Sequence, residues 1–182
     1  MSISRSTLSI LSLALPLLTA IVHPGVAEAQ TGAGHGRSAF IEQVRQATEV
    51  YRDVNNASPD YQPALGCVSG PLSGAMGVHY VNGSLVMDDT VLIDKPEALI
   101  YEFQNNTARL VGVEYIVTFD AWHKTHALND PPILDGQLLN LVEEPNRFGL
   151  PRFYELHAWA WRDNPNGTFV DWNPLVSCDH QH

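Results

Sequence analysis

The chain has 182 residues, of which 45% are hydrophobic and 16% charged, and its formal net charge at pH 7 is −10. This length and apolar fraction suit one folded domain with a core, and they exclude a chain that is mostly disordered. Acidic residues outnumber basic ones by 20 to 10. The excess argues against nucleic-acid and anionic-membrane partners, which both require clustered lysine and arginine.

The first 29 residues have the order of charge and hydrophobicity typical of a secretory signal peptide. Arg5 precedes an apolar run over Leu8–Leu18, and Ala27-Glu28-Ala29 fits the small-x-small cleavage pattern. A membrane anchor is the alternative, but the run is about 11 residues long and a span needs about 20. We therefore expect residues 1–29 to be removed on export, leaving a secreted or periplasmic protein that is not inserted in a membrane.

Two cysteines are present, Cys67 and Cys178. Because exported proteins meet an oxidising compartment, we predict that the pair forms one disulfide. The bridge would close a loop of about 110 residues and tie the start of the folded body to its C-terminus. The alternative is a Cys67 nucleophile paired with a histidine, but no helix N-terminus or local base that would activate the thiol is visible.

Residues 30–37 are rich in glycine and are expected to form a flexible leader to a single domain over residues 38–182. Ser38 is a predicted N-cap for a helix that continues to about Asn55. Apolar residues recur there at steps of three and four, which indicates an amphipathic helix. They are Phe40, Val44, Ala47, Tyr51 and Val54.

A segment rich in Pro, Gly and Ser at Ala57–Ala75 is expected to be an ordered loop, and after it the apolar period changes to two, as in β-strands. The predicted strands are Met76–Val81, Ala98–Phe103, Arg109–Phe119 and Arg152–Trp161, with a weaker one at Ser84–Asp88. Asn82-Gly83 and Asn105-Asn106 are predicted turns between them. The tail over residues 163–182 is expected to be mostly irregular. This order predicts an α+β fold, with the N-terminal helix packed on a curved antiparallel sheet.

Alternation along the predicted strands sorts their side chains into two faces. One face of each strand is aliphatic or aromatic. The other carries ionisable residues among apolar neighbours, and these are His79, Glu102, Glu114, Glu155 and His157. Such groups are costly to bury without partners, so we hypothesise that they converge in one cleft.

Two imidazoles and a carboxylate on neighbouring strands are typical of sites that bind Zn²⁺ or Fe²⁺. The predicted ligands are His79, Glu114 and His157. Glu102 or Glu155 would be a fourth ligand, an outer hydrogen-bond acceptor or a general base. A metal-free pocket that exchanges protons with an organic ligand would use the same groups. In a third interpretation the residues lie on an ordinary solvated sheet face and perform no chemistry.

Aromatic residues near these groups are candidate contacts for a small organic ligand. Trp159 and Trp161 share one face of the last predicted strand, and Tyr115 follows Glu114 directly. Aromatic rings on a secreted sheet stack on sugars or flat ligands, and a place in the core is the alternative.

Three phrases of the sequence, Gly74–Asn82, Val113–Tyr115 and Tyr154–Trp159, resemble those of an uncharacterised family of secreted bacterial proteins. The resemblance covers most of the mature chain, implies export and assigns no catalytic residue. The cupin pattern, a close H-x-H pair followed by Glu, is not matched. We expect a secreted protein that binds a small molecule or a metal ion. The alternatives are a metal-dependent extracellular hydrolase, lyase or oxygenase, and a structural or interaction module.

Overall fold

The computed structural model describes residues 31–70, 72–105 and 107–179, and the predicted signal peptide lies outside these ranges. Its helices are α1 (Thr31–Thr48), α2 (Gly83–Val86) and α3 (Phe119–Trp122). Its strands are β1 (Gln62–Gly70), β2 (Gly74–Val81), β3 (Ala98–Gln104), β4 (Thr107–Thr118), β5 (Ile133–Leu134), β6 (Gln137–Leu138), β7 (Asn140–Val142) and β8 (Phe153–Ala158). Within the described ranges, no helix combines the length and hydrophobicity needed to cross a membrane.

Six strands form a curled antiparallel half-barrel in the order β1-β2-β3-β4-β8-β7, and α1 packs on it. Strands β5 and β6 form a separate two-stranded hairpin. The predicted α+β fold, with an N-terminal helix on a curved antiparallel sheet and one disulfide, is confirmed. The four main predicted strands correspond to β2, β3, β4 and β8.

One side of the sheet, here called the helix face, packs against α1. Phe40 and Val44 of α1 are completely buried against this side, and the ring of Phe40 meets Tyr115 edge to face at 6.0 Å. The sheet residues of this core alternate along β3, along β8 and along β4 from Val113 onward, as a period of two requires. They include Leu99, Tyr101, Val113, Tyr115, Val117, Tyr154 and Leu156.

The opposite side of the sheet, here called the tail face, is covered by the C-terminal segment that follows β8. Val176 of this segment is buried against Ile100 and Val111. Asn173 exchanges two backbone hydrogen bonds with Ala75 at the start of β2, each 3.1 Å long. The disulfide between Cys67 and Cys178 joins β1 to the end of the segment. Both faces of the sheet are therefore buried, and ionisable residues on the tail face lie inside the molecule.

Strand β1 lies in the segment that the sequence analysis assigned to a loop, so that prediction was wrong. β1 is an edge strand whose pairing with β2 shifts register three times. Its side chains are mostly exposed, and Pro63 lies within it. An exposed edge strand with proline has no alternating apolar pattern to detect.

The predictions of a strand at Ser84–Asp88 and of a hairpin turn at Asn82-Gly83 were also wrong, because α2 occupies Gly83–Val86. The Asn82 side chain accepts hydrogen bonds from the backbone N–H groups of Ser84 (3.1 Å) and Leu85 (3.3 Å), and so caps α2. Asparagine favours both tight turns and helix N-caps, and here the cap is the one adopted.

The start of α1 also differs from the prediction. The helix begins at Thr31, so it includes residues assigned to a flexible leader, and Ser38 lies inside it. After Thr48 the chain continues as two 3₁₀ turns, at Glu49–Arg52 and Val54–Asn56, close to the predicted end.

Candidate metal centre

Three strands bring His79, Glu114 and His157 together on the tail face. Glu114 of β4 is directly opposite His157 of β8. His79 belongs to β2, and β3 runs between β2 and β4. The β3 residue opposite Glu114 is Ala98, whose small side chain leaves space above the sheet. The His79 imidazole can therefore reach across β3 to the carboxylate.

The three side chains form a compact, buried group. His79 Nε2 lies 3.2 Å from Glu114 Oε2, and His157 Nδ1 lies 3.8 Å from Glu114 Oε1. One donor atom from each residue can be chosen so that all three lie within 4.8 Å of one another. The exposed fractions of the side chains are 5% for His79, 6% for Glu114 and 1% for His157.

A second group of donors shares His157 with the first. Glu155, His157 and Asp171 also place donor atoms within 4.8 Å of one another. Asp171 Oδ1 lies 3.7 Å from His157 Nδ1, and the Asp171 side chain is 33% exposed. Sequence reasoning missed Asp171, because it lies in the irregular tail, where no periodicity indicates which way a side chain points.

Several polar atoms of the group have no hydrogen-bond partner in the part of the chain that the structure describes. They are Nδ1 of His79 and both ring nitrogens, Nδ1 and Nε2, of His157. A buried nitrogen without a partner costs about 1–3 kcal/mol of folding free energy. Neutral imidazole nitrogens are also the donors that zinc and iron prefer. The unpartnered nitrogens therefore fit a site that takes up a metal ion.

Burial holds both histidines in their neutral form at neutral pH. Desolvation lowers the pKa of His79 to about 4, although the nearby Glu155 carboxyl opposes this shift. Desolvation, together with the neighbouring His79, also lowers the pKa of His157 well below its ordinary value. Neutral imidazole is the form that binds metals, so neither ring has to lose a proton at pH 7.

The carboxyl groups of Glu114 and Glu155 differ in their pKa. Burial raises the pKa of Glu114 to about 7, while a hydrogen bond from Glu155 works in the opposite direction. Burial and the neighbouring Glu114 raise the pKa of Glu155 to about 10. Glu114 therefore has the lower pKa of the two and is the carboxyl group of the pair that ionises first. A cation beside Glu114 would favour its ionised form further.

Glu102 lies in neither group of donor atoms. It is buried on the tail face, and its Oε1 accepts a hydrogen bond from the backbone N–H of Ser177 at 3.0 Å. Its pairing partner in the sheet is Arg109, nearer the end of the β3–β4 hairpin than the histidines. Glu102 therefore anchors the tail to the sheet.

Two of the three predicted aromatic ligand contacts lie away from the group. Tyr115 points to the helix face, where it is buried and its hydroxyl donates to the carbonyl oxygen of Ile93 at 2.8 Å. Its position next to Glu114 in sequence places it on the other side of the strand. Trp159 does lie beside the group, with its ring nearly parallel to that of His157 at 6.3 Å.

Trp161 does not share a face with Trp159, so that prediction was wrong. Strand β8 ends at Ala158, and alternation does not extend beyond the last residue of a strand. Trp161 turns toward the helix face and donates a hydrogen bond to Oγ1 of Thr48 on α1 at 3.0 Å.

The spacing of the donors is close to that of a metal site. Donor atoms around a tetrahedral zinc ion with bonds of about 2.1 Å are about 3.4 Å apart, so side-chain shifts of about 1 Å would bring the three onto one ion.

Comparisons with protein-family models, curated proteins and solved structures found no match for this chain. The function is therefore inferred from the geometry of this site.

Proposed function

We propose that this protein binds a divalent transition metal, Zn²⁺ or Fe²⁺, through His79, Glu114 and His157. The observation that carries the proposal is the convergence of these donors from three strands, with buried imidazole nitrogens that have no partner in the described ranges. Two histidines and one carboxylate are a common donor set for both metals. Glu155 and Asp171 would act as outer hydrogen-bonding partners of the site.

The test is a zinc titration by calorimetry, combined with elemental analysis of untagged protein. We expect one metal ion per chain in the wild type. We expect Glu114→Gln and His157→Ala to lower the zinc affinity by more than about 100-fold, because even changes to outer partners cost 10- to 100-fold.

Glu102→Gln is the matched control for Glu114→Gln. Both positions are buried glutamates on the tail face, but only Glu114 belongs to the donor group. The amide of a glutamine at position 102 would still accept the hydrogen bond from Ser177, so the control should bind zinc as the wild type does. Wild-type protein that binds no zinc, or equal zinc affinity in both glutamine variants, would contradict the proposal.

A metal-dependent enzyme is the second candidate. It is favoured by a cavity whose wall includes both His79 and Glu114, since catalytic metal sites have three protein ligands and one open position. A cobalt-substituted protein tests this candidate, because an open position takes up azide and the visible absorption spectrum then changes. A spectrum that azide leaves unchanged would exclude an open position and favour a closed site.

A further inference from the structure

The donor group borders a cavity of about 250 Å³ on the tail face. Its walls come from β1, β2, β4, the region of α2, the loop before β8 and the start of β8. Apart from His79 and Glu114, every residue that lines it is apolar or glycine, and Met76, Val86, Ile116, Phe148 and Phe153 are among them. The cavity therefore has a polar end at the candidate metal centre and an apolar remainder.

The size of this cavity is sufficient for a small organic molecule. An apolar cavity of about 150 Å³ binds benzene, so this one has room for a ring with a short substituent or for a medium-length hydrocarbon chain. A second cavity of about 320 Å³ adjoins it, and both are lined by Val86, Met87, Ile116, Leu150 and Phe153. The second cavity also has Asp120, Glu144 and Arg152 in its lining, so only the part that it shares with the first is suited to a hydrocarbon chain.

The rim of the cavity is exposed and apolar. Met87 is 60% exposed and Leu150 46% exposed, and both line the two cavities. Exposed apolar side chains around a cavity mark a place where an apolar partner enters. The walls thus favour a hydrocarbon group, and the polar end determines which head group accompanies it.

The charge of a filled metal centre selects an anionic head group. A divalent cation held by two neutral imidazoles and the Glu114 carboxylate retains one positive charge. Asp171 contacts His157 but does not line the cavity. On the cavity side no other charged group is present among the described lining residues, so an anionic oxygen donor would have to come from the ligand. An uncompensated charge in apolar surroundings is costly, which favours such a donor.

We propose that the cavity binds a small apolar carboxylate, with a carboxylate oxygen on the metal ion and the hydrocarbon group against the apolar walls. This inference rests on the proposed metal site and adds the class of ligand to it. Val86 is the position from which to test the cavity, since it lines both cavities and belongs to neither group of metal donors.

The test is a calorimetric titration with octanoate and with 1-octanol, on metal-free and on zinc-loaded protein. We expect zinc-loaded protein to bind octanoate at least about tenfold more tightly than metal-free protein does, and more tightly than it binds 1-octanol. We expect Val86→Trp, which fills the cavity, to lower octanoate affinity at least about tenfold while one zinc ion per chain is retained.

Two further variants complete the test. Ala64→Trp fills the same cavity from the exposed edge strand β1 and replaces Val86→Trp if that variant does not fold. Leu128→Trp, at a side chain that is 77% exposed and outside both cavities, is the control and should bind octanoate as the wild type does.

The outcomes separate the two proposals. One outcome is that the protein binds zinc, but that the zinc-loaded form binds octanoate no more tightly than the metal-free form does, or binds 1-octanol with the same affinity as octanoate. This outcome would overturn the carboxylate inference and leave the metal site intact. Unchanged octanoate affinity in the folded cavity-filling variant would also overturn it. Absence of zinc binding would overturn the proposed function, and this inference with it.

Discussion

Glu97 illustrates how a single buried carboxyl group affects the molecule. Its side chain accepts a hydrogen bond from the backbone N–H of Ile116 at 2.9 Å, and the residue is only 2% exposed. Burial raises its pKa to about 8 from an ordinary value of 4.5, although hydrogen bonds from the backbone oppose the shift. The folded protein therefore retains a proton on Glu97 at pH values where the unfolded chain has lost it.

The sign of the effect on stability follows from this difference. Since the folded state binds more protons, the contribution of Glu97 is fully present below pH 4.5 and is lost as pH rises through about 8. We expect Glu97→Gln to flatten the pH dependence of the free energy of unfolding in this window, by up to about 1.4 kcal/mol per pH unit. The amide oxygen would still accept the bond from Ile116.

Urea unfolding at several pH values between 4 and 9 measures this effect as a difference between variant and wild type. Glu42→Gln is the control, because Glu42 is exposed on α1 and its carboxylate accepts a hydrogen bond from the exposed side chain of Gln46. Parallel stability curves for wild type and Glu97→Gln would show that Glu97 does not titrate with a raised pKa.

Among the elements, the strands were predicted from sequence more accurately than the segments between them. Alternation in β3, in β8 and in β4 from Val113 onward correctly separated the helix face from the tail face, because each strand packs against a different partner on each side. Earlier in β4 the prediction was wrong: a register shift opposite Ile100 and Tyr101 places Leu110 on the helix face and Val111 on the tail face. Sequence alone does not determine which faces of different strands coincide. Glu114 and His157 meet because the register between β4 and β8 places them opposite each other.

The irregular elements could not be predicted because their positions depend on tertiary contacts. The path of the C-terminal segment is set by contacts distant in sequence, such as the bridge between Ala75 and Asn173. Gly74 shows how closely the two segments approach, since a Cβ atom there would clash with the backbone carbonyl oxygen of Asn173. Asp171 enters the donor group through this docking, and no local pattern predicts it.

The disulfide holds this segment against the sheet, across a sequence separation of 111 residues. For a loop of this length, the chain-entropy model gives a loss of about 4–5 kcal/mol of unfolding free energy when the bond is removed. We expect that loss in the double variant Cys67→Ser/Cys178→Ser. We also expect weaker zinc binding, since Asp171 is held in place by the same segment.

Chemical unfolding of the double variant tests the disulfide prediction, and wild-type protein in reductant serves as the comparison. Both samples should lose a similar amount of stability. A loss below about 1 kcal/mol would indicate that the Asn173 bridge and the packing of Val176 hold the segment without the covalent bond.

At the scale of the whole molecule, the candidate site lies between two layers that cover the sheet. The helix face forms the larger apolar core, and the tail face combines apolar packing with the buried ionisable group. A buried group of this kind costs folding free energy unless an ion or ligand compensates for it. A bound ion would recover that cost and stabilise the fold by mass action. The disulfide is consistent with an oxidising compartment, and export remains a prediction from the sequence.

The most direct test of the metal site is anomalous X-ray diffraction from crystals of the wild-type protein grown with zinc, measured above and below the zinc absorption edge. We expect one strong anomalous peak within bonding distance of His79, Glu114 and His157, at about 2.0–2.2 Å from each donor atom. The same crystals of Glu114→Gln should show a weak peak or none at this position. An anomalous map of the wild type with no peak there, or with zinc only at surface residues, would contradict the proposed function.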